Sequence, residues 1–175
     1  HDIGDESSSL KSNALLSADL RCHTSHSIQF TTEFITMTAP RDIKQILSDF
    51  IREVWSEGDV EAADKYIAPG YTIRHDPGDP WEGKELDVAT YKERVRTLRA
   101  AFPDQFFDIQ GLFADGDAVV MTWLWSATHQ GDIPGSMSGA TAYFFQGDQF
   151  VGHWQITDRL GVFQQLQMAK AGAQA

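Results

Sequence analysis

The stretch QFFDIQGLFADGDAVVMTWLWSATHQGDIPGSMSGATAYFFQGDQFVGHWQITD, residues 105–158, decides the fold, because it reads as consecutive strands. Runs typical of β-strands occur at residues 105–113, 118–130, 139–146 and 149–158. The segments between them, ADGD, GDIPGS and QGDQ, carry the Gly and Asp residues of tight connections between antiparallel neighbours. The stretch therefore predicts an antiparallel meander.

The residues before the meander read mainly as helices. Apolar residues from Ile43 to Val54 recur at helical spacing, which predicts an amphipathic helix over residues 41–56. Two further helices are predicted at 59–67 and 86–101, with the strand YTIRHD between them. Helices followed by a meander are typical of α+β proteins. We expect a curved antiparallel sheet with three helices on its concave face.

The composition of the chain narrows its partners and its location. The net charge of −11 and the absence of basic runs argue against nucleic acid and against anionic membrane surfaces. A single cysteine, Cys22, excludes an internal disulfide and favours a reducing compartment, so we expect a cytoplasmic protein. Residues 1–38 are polar and lack apolar periodicity, so they are predicted to be an extension to a domain at 39–175.

Several motifs together resemble the SnoaL-like polyketide cyclases, a family with the NTF2-like, cone-shaped α+β barrel fold. The motifs are WSEGDVEAADKYIAPGYTIRHDP, AFPD, ADGDAVVMTWLWSATHQG and GHWQITDRLGVFQQL, and the resemblance covers residues 41–167. The chain has IPGSMSGAT where the family often carries GxPTG, a loop at the mouth of the pocket. The resemblance therefore does not identify the substrate. Because other members of this superfamily catalyse different reactions or none, the fold does not choose the chemistry.

Asp158 is the first candidate for catalysis. Simple alternation places it on the same strand face as Trp154 and Ile156, where an unpaired carboxylate is costly unless it is neutralised or bonded. Burial would raise its pKa towards the range of a general acid or base. A strand-end ion pair is the alternative. The resemblance favours catalysis, because Asp158 matches the acid/base Asp of the family's W…D..G..QQL ending.

His75 is the second candidate, because it shares a predicted strand face with Tyr71 and Ile73. It would orient a substrate carbonyl or set the protonation of Asp158, and a buried histidine bonded to backbone is the alternative. His129 alternates in step with Trp123 and Trp125, and the sequence does not decide whether these residues face the interior of the cone or the outer side of the sheet. His153 falls on the opposite parity from Asp158, which predicts an outer position. The expected aromatic lining of a pocket is Trp154, Phe150 and Tyr143.

These residues predict a cofactor-free acid/base enzyme that acts on a small, apolar carbonyl compound. The resemblance implies aldol-type cyclisation, and isomerisation uses the same groups. Epoxide opening of the limonene type would need two carboxylates bridged by an arginine, Arg74 or Arg94, and a second inward carboxylate is not evident. A non-catalytic ligand-binding or dimerisation protein is the third alternative. No histidine spacing indicates a metal site.

Apolar residues on both faces of strand 118–130 predict a homodimer built on the outer sheet face.

Overall fold

A computed structural model describes residues 42–129 and 133–172 of the chain. They form a curved six-stranded sheet, ordered β2-β1-β6-β5-β4-β3, and the sheet is not closed into a barrel. Every neighbouring pair of strands is antiparallel except β1 and β6, which run parallel. The predicted α+β architecture is confirmed. The strands are β1 Ile67–His75, β2 Glu85–Leu86, β3 Phe106–Asp115, β4 Ala118–His129, β5 Ile133–Gln146 and β6 Gln149–Thr157.

The two faces of the sheet differ in burial, and β4 shows the difference most clearly. Its alternate residues from Val119 to Ala127 are buried, whereas Val120 and Leu124 on the other face are exposed. Residues directly opposite on antiparallel strands share a face. The pairing of β4 with β5 and of β5 with β6 therefore extends both faces across the sheet. The helices cover the face that carries Trp123 and Trp125.

The first helix, α1 Ile43–Phe50, continues without a break into a π-helical segment, Ile51–Glu57. Its amino end is capped by Asp42, whose carboxylate accepts from the backbone N–H of Gln45 at 3.0 Å. The segment ends at Gly58, which has a left-handed φ of 86°. The sequence predicted one α-helix over 41–56. The π-helical segment differs from this prediction, because the spacing of apolar residues does not distinguish a π-helical turn from an α-helical one.

Two short helical turns and two longer helices complete the fold. A 3₁₀ turn, Val60–Ala62, leads into α2 Ala63–Tyr66, and α3 Val88–Ala101 lies close to the predicted third helix. A fourth helix, α4 Arg159–Gly172, follows β6 and was not predicted. No helix within the described residues combines the length and the apolar character needed to cross a membrane. The division of the chain at residue 38 stays a prediction, because residues 1–41 lie outside the described part.

Candidate active site

A β-bulge in β6 reverses the faces predicted for the residues that follow it. The register of β6 against β5 shifts by one residue between Phe150 and Gly152. A Cβ atom on residue 152 would lie 2.5 Å from the carbonyl oxygen of Thr72 in β1, so glycine is required there. As a result Phe150 and His153 are both buried, although they are three residues apart. Simple alternation would have placed them on opposite faces.

The neighbouring strand β1 carries a matching irregularity near its end. Ile73 pairs with His153 and His75 pairs with Trp154, so Arg74 is an extra residue in β1. The imidazole of His75 therefore lies on the outer face, where it stacks on the Trp154 ring with 5.0 Å between centroids. Asp76, the next residue, is fully buried. Because of these two irregularities, His75 and Trp154, which were predicted to face inwards, lie on the outer face. Asp76 and His153 are buried instead.

The Asp76 carboxylate is the centre of a buried polar cluster. Its Oδ1 atom accepts hydrogen bonds from Arg159 Nη2 at 2.5 Å and from Gln155 Nε2 at 3.2 Å. Its Oδ2 atom accepts from Arg94 Nη2 at 3.4 Å. His153 Nε2 lies 3.7 Å from Oδ2, which is too long for a hydrogen bond, and the two groups form an ion pair only when the imidazole is protonated. Elements distant in sequence thus meet at one carboxylate.

Arg94 links Asp76 to a second buried carboxylate, Asp79. The Nε and Nη2 atoms of Arg94 donate to Asp79 Oδ2 at 3.0 Å and 2.6 Å. With Arg159 the cluster holds two carboxylates and two guanidinium groups, so their formal charges cancel. Buried charges are tolerated when they are paired and hydrogen-bonded in this way. Removing one member would leave an uncompensated charge in the interior.

The pKa of Asp76 is lowered despite its burial. Burial opposes the charged form, but the neighbouring His153 imidazole and the guanidinium of Arg159 outweigh it and lower the pKa of Asp76 to about 2. Asp76 is therefore ionised throughout the neutral range. A carboxylate with so low a pKa is a weak base, so it is suited to orienting neighbours and stabilising positive charge.

His153 joins the cluster to the helix-covered face of the sheet. Its Nδ1 atom lies 2.6 Å from the Tyr71 hydroxyl oxygen. Burial lowers the pKa of His153, and the nearby Asp76 acts against this shift, so the imidazole is neutral at pH 7. The facing Asp76 oxygen favours the tautomer with a proton on Nε2, since two unprotonated acceptors would repel. Nε2 is buried and has no hydrogen-bond partner among the described residues.

A chain of hydrogen bonds fixes Gln155 in one orientation. The indole N–H of Trp123 donates to Thr141 Oγ1 at 2.9 Å, and the Thr141 hydroxyl donates to Gln155 Oε1 at 2.7 Å. The amide NH₂ of Gln155 then faces Asp76. Because a hydroxyl can donate and accept at once, every link in this chain is satisfied. The chain orients the cluster from the sheet side.

A cavity of about 220 Å³ lies between the helices and the inner sheet face. Asp76 is not among the residues that line it, whereas His153, Gln155, Arg94 and Arg159 are. The other lining residues are mainly aromatic or apolar: Ile51, Trp55, Tyr91, Leu98, Phe102, Gln105, Phe107, Met121, Trp123, Trp125, Met137, Tyr143 and Val162. An apolar cavity with a few convergent polar groups is the usual form of a small-molecule site.

The structure places the predicted catalytic residues outside this cavity. Asp158 is exposed, and its Oδ1 atom accepts from the backbone N–H of Gly161 at 2.8 Å, which makes it the cap at the start of α4. His75 lies on the outer face with 38% of its side chain exposed, 3.3 Å from Glu82. The inward orientation predicted for both side chains is therefore wrong, because each follows a bulge. Their catalytic roles stay untested predictions.

The predicted lining residues are divided among three environments. Tyr143 lines the cavity, as expected. Phe150 is fully buried in an aromatic cluster, 4.7 Å from the Phe50 ring between centroids, and does not line the cavity. Trp154 is on the outer face, which corrects its predicted position. His129 is partly buried with its ring against Phe102, which itself lines the cavity, so His129 lies beside the site.

Sequence reasoning missed Asp76 and Asp79, it named Arg94 only as a possible bridge between two carboxylates, and it placed His153 on the wrong face. A glycine inside a strand often marks a bulge, so Gly152 carried a signal that the parity should change after it. Arg94 interrupts the apolar stripe of α3 between Tyr91 and Leu98, which is a second signal. Within the described residues, no group of three or more His, Cys, Asp or Glu side chains is arranged to hold a metal ion.

Comparison with protein families identifies the kind of domain that carries this site. The model of the SnoaL-like polyketide cyclase family matches residues 45–166. A search of curated proteins found no match. The resemblance and the NTF2-like fold predicted from the sequence are both confirmed.

Solved structures agree with the family match. The chain is 69% identical to a candidate polyketide cyclase of Acidithiobacillus ferrooxidans, with a TM-score of 0.71, and the alignment covers 76% of this chain and 99% of that one. IdmH of Streptomyces antibioticus, another candidate polyketide cyclase, is 22% identical with a TM-score of 0.62, over 73% and 99% of the two chains. AclR of Streptomyces galilaeus, a candidate hydroxylase, is 19% identical with a TM-score of 0.60, over 72% and 96%. The last two similarities concern the fold alone.

Proposed function

Because the chain belongs to the family of SnoaL-like polyketide cyclases, we propose that it is an acid/base enzyme that closes or isomerises a carbonyl compound in the cavity. The observation that carries this proposal is a buried, titratable imidazole, His153, that lines the cavity and lies beside the ionised Asp76 carboxylate. A substrate in the cavity would bring its carbonyl oxygen or its acidic C–H group to this imidazole.

His153 can exchange one proton with the substrate. In one tautomer Nδ1 accepts from the Tyr71 hydroxyl and Nε2–H donates to a carbonyl or enolate oxygen. In the other, Nδ1–H donates to Tyr71 and Nε2 accepts a proton from the acidic carbon. The resulting enolate attacks the second carbonyl, and the imidazolium returns the proton to the new alkoxide. The proton count balances, so ring closure needs no external acid.

Asp76 and its guanidinium partners support this exchange without contacting the substrate. The ionised Asp76 carboxylate, 3.7 Å from Nε2, would stabilise the imidazolium that forms during the reaction. Arg94 and Arg159 keep Asp76 ionised and fixed. In this arrangement Asp76 is a positioning residue. The His153 imidazole is the group that touches the reacting atoms.

Hydrogen–deuterium exchange at the acidic carbon of a panel of carbonyl compounds tests this proposal. Ketones and 1,3-diketones with one to four rings are incubated with the protein in D₂O, and loss of the C–H signal is followed by NMR. We expect His153→Gln to slow exchange by roughly 10²–10⁴-fold while the fold is retained. Asp158→Asn should keep the wild-type rate. Normal exchange by His153→Gln, or loss of exchange only in Asp158→Asn, would overturn the assignment to His153.

A second candidate function is epoxide hydrolysis, which the Asp76–Arg94–Asp79 arrangement favours. This is the pair of carboxylates bridged by an arginine that the sequence alone did not reveal. Both carboxylates are buried and neither lines the cavity, so water would have to reach them during turnover. Incubation of cyclic epoxides in ¹⁸O-labelled water distinguishes the two functions, because only hydrolysis places the label in a diol product.

We also propose that the outer sheet face forms a homodimer. This face exposes large apolar side chains from several strands, and soluble monomers rarely tolerate a contiguous patch of this kind. Pairing two copies about a two-fold axis would cover both patches at once. The helices lie on the other face, so this assembly leaves the cavity within each copy. The residues are Phe106, Phe113, Val120, Leu124, Trp154 and Ile156.

A further inference from the structure

The phenol hydroxyl of Tyr143 is a polar group on the wall of the cavity. Tyr143 lines the cavity, and only 6% of the residue is exposed. Among the described residues this hydroxyl has no hydrogen-bond partner, and its oxygen is not one of the fully buried atoms that lack a partner. The oxygen therefore keeps accessible surface, which at this position opens into the cavity. A ligand in the cavity would contact it.

Tyr143 and His153 reach the cavity side by side. They are directly opposite each other in the pairing of β5 with β6, so their side chains project from the same face of the sheet. Their ring centroids are 5.9 Å apart, and both residues line the cavity. A substrate oxygen beside the imidazole therefore lies beside the phenol as well.

Aromatic neighbours hold the Tyr143 ring in place. The Phe50 ring meets it edge-on with 6.0 Å between centroids, and the Phe150 ring is tilted against it at 5.1 Å. Neither phenylalanine lines the cavity, so both support the ring from the core side. A donor that is already fixed need not be reoriented when charge develops in a reaction, which is the property of an effective oxyanion site.

Tyr143 stays protonated throughout the neutral range. Burial raises its pKa well above the usual range of a tyrosine, the Tyr91 phenol adds to this rise, and Arg94 acts against it. A neutral phenol is a hydrogen-bond donor. Tyr91 also lines the cavity, but the Trp55 indole and the Tyr71 hydroxyl lie close enough to its hydroxyl to act on its pKa. No described hydrogen-bonding group acts on the pKa of Tyr143 in this way, so its hydroxyl is the one left for a ligand.

We infer that Tyr143 is a second catalytic residue, which donates a hydrogen bond from its hydroxyl to the substrate oxygen that becomes negative. This inference rests on the proposed function, because it concerns the same reaction. When the C–H bond breaks, its proton goes to His153, its electron pair forms the C=C bond of the enolate, and the carbonyl oxygen takes the negative charge. Tyr143 keeps its own proton. Because a hydrogen bond to an anionic oxygen is stronger than one to a neutral oxygen, this contact favours the enolate over the ketone.

Two one-ring probes test whether this hydroxyl binds an anionic oxygen. A cavity of about 150 Å³ is known to hold benzene, so one ring suits a cavity of about 220 Å³. The probe 4-nitrophenolate carries an anionic oxygen where 4-nitrotoluene carries a methyl group, and the two molecules otherwise have the same shape. We expect Tyr143→Phe to weaken 4-nitrophenolate binding by about 10- to 150-fold in calorimetric titration, as loss of a hydrogen bond to a charged group does. Binding of 4-nitrotoluene should change by less than about threefold.

Tyr66→Phe is the matched control. The Tyr66 hydroxyl donates to Glu53 Oε2 at 2.9 Å and does not border the cavity, although its ring packs on Phe50 as that of Tyr143 does. This variant should keep the wild-type affinity for both probes. Tyr143→Phe should unfold at the same urea concentration as wild type or at a higher one, because it loses no hydrogen bond within the described part of the protein. A hydroxyl with a structural role would instead lower that midpoint.

Exchange of the C–H protons of 2-indanone in D₂O tests the catalytic part of the inference. Tyr143→Phe should lower kcat by roughly 10²–10³-fold, as loss of one oxyanion donor does. KM should rise by less than about 12-fold, because the neutral ketone accepts the weaker hydrogen bond. Tyr66→Phe should leave both constants unchanged.

Four results would overturn this inference. They are equal binding of 4-nitrophenolate by Tyr143→Phe and wild type, an equal loss of 4-nitrotoluene binding, no saturable binding of 4-nitrophenolate, and an unchanged kcat in Tyr143→Phe. Weaker 4-nitrophenolate binding by Tyr91→Phe but not by Tyr143→Phe would assign the donor to Tyr91 instead. The probes bind without turnover, so the proposed function fails separately. A protein that binds them as expected but does not accelerate exchange would refute catalysis and leave Tyr143 as a ligand-binding donor.

Discussion

Substitution of Gly152 by alanine tests the feature on which the whole site depends. The added Cβ atom would lie 2.5 Å from the Thr72 carbonyl oxygen, whereas ordinary contacts of a Cβ atom begin near 3.4 Å. The difference, 3.4 minus 2.5, requires β1 and β6 to separate locally by up to about 0.9 Å. The clashing atom belongs to the backbone of a paired strand, so it cannot rotate away as a side chain would.

The expected cost follows from this geometry. Forcing one extra methyl group into a packed interior typically costs about 1–3 kcal/mol. Because the strands on both sides of Gly152 are hydrogen-bonded, we expect the upper half of that range, about 2–3 kcal/mol. With a urea dependence of about 2 kcal/mol per molar, the unfolding midpoint falls by roughly 1–1.5 M. Because β6 carries His153 and β1 leads directly into Asp76, separation of the two strands would disturb the cluster.

Urea unfolding followed by tryptophan fluorescence measures the change in stability, and Gly135→Ala is the control. A Cβ atom on residue 135 would meet Val162 and Leu166 at ordinary distances of 3.8 and 3.9 Å. This control should change the free energy of unfolding by less than about 1 kcal/mol. NMR titration of His153 adds a local readout, since loss of its burial would raise its lowered pKa towards about 6.5. A Gly152→Ala protein as stable as wild type, with an unchanged His153 pKa, would refute the assignment of the bulge.

Three further predictions concern the charged cluster and the outer face. Asp76→Asn leaves buried guanidinium charge uncompensated, so it should lower the free energy of unfolding at pH 7 by about 3–5 kcal/mol in urea experiments. The control Asp108→Asn, at an exposed position, should change the free energy of unfolding by less than about 0.5 kcal/mol. The folded-state pKa of Asp76 lies below the unfolded value of about 3.9, so its contribution of about 2–3 kcal/mol is present above pH 4 and is lost as the pH falls through about 2. Subtracting the Asp76→Asn stability curve from that of wild type between pH 2 and 7 isolates this contribution, and a flat difference would contradict it. Light scattering should give a dimer for wild type and a mass near 19.5 kDa for Leu124→Glu, and a wild-type monomer would exclude the proposed interface.

Much of the fold could be read from the sequence because it depends on local, repeated patterns. The spacing of apolar residues from Ile43 to Val54 and the Gly and Asp residues of the tight connections each act over a few residues. They predicted the order of helices and strands and the α+β class. The helix α4 was missed, although Asp158 followed by Gly161 and Val162 has a recognisable capping residue at its start.

The candidate site depends on interactions that local patterns do not report. Alternation along β6 placed Asp158 inside and His153 outside, because a period of two assumes that no residue is inserted. The register shift lies next to Gly152, where the Thr72 carbonyl of a strand some 80 positions earlier in the chain leaves no room for a Cβ atom. A similar shift in β1 turned His75 outwards and buried Asp76.

The sequence by itself determined the fold class, the family and the presence of a helix-covered apolar face. Only the tertiary structure decided which polar groups meet on that face. Asp76, Arg94 and Arg159 come from different elements, and the ionisation of Asp76 depends on distances of a few ångströms that the fold alone creates. Periodicity fixes which face a side chain takes only while the strand stays regular, and contact with a neighbouring strand is what breaks that regularity.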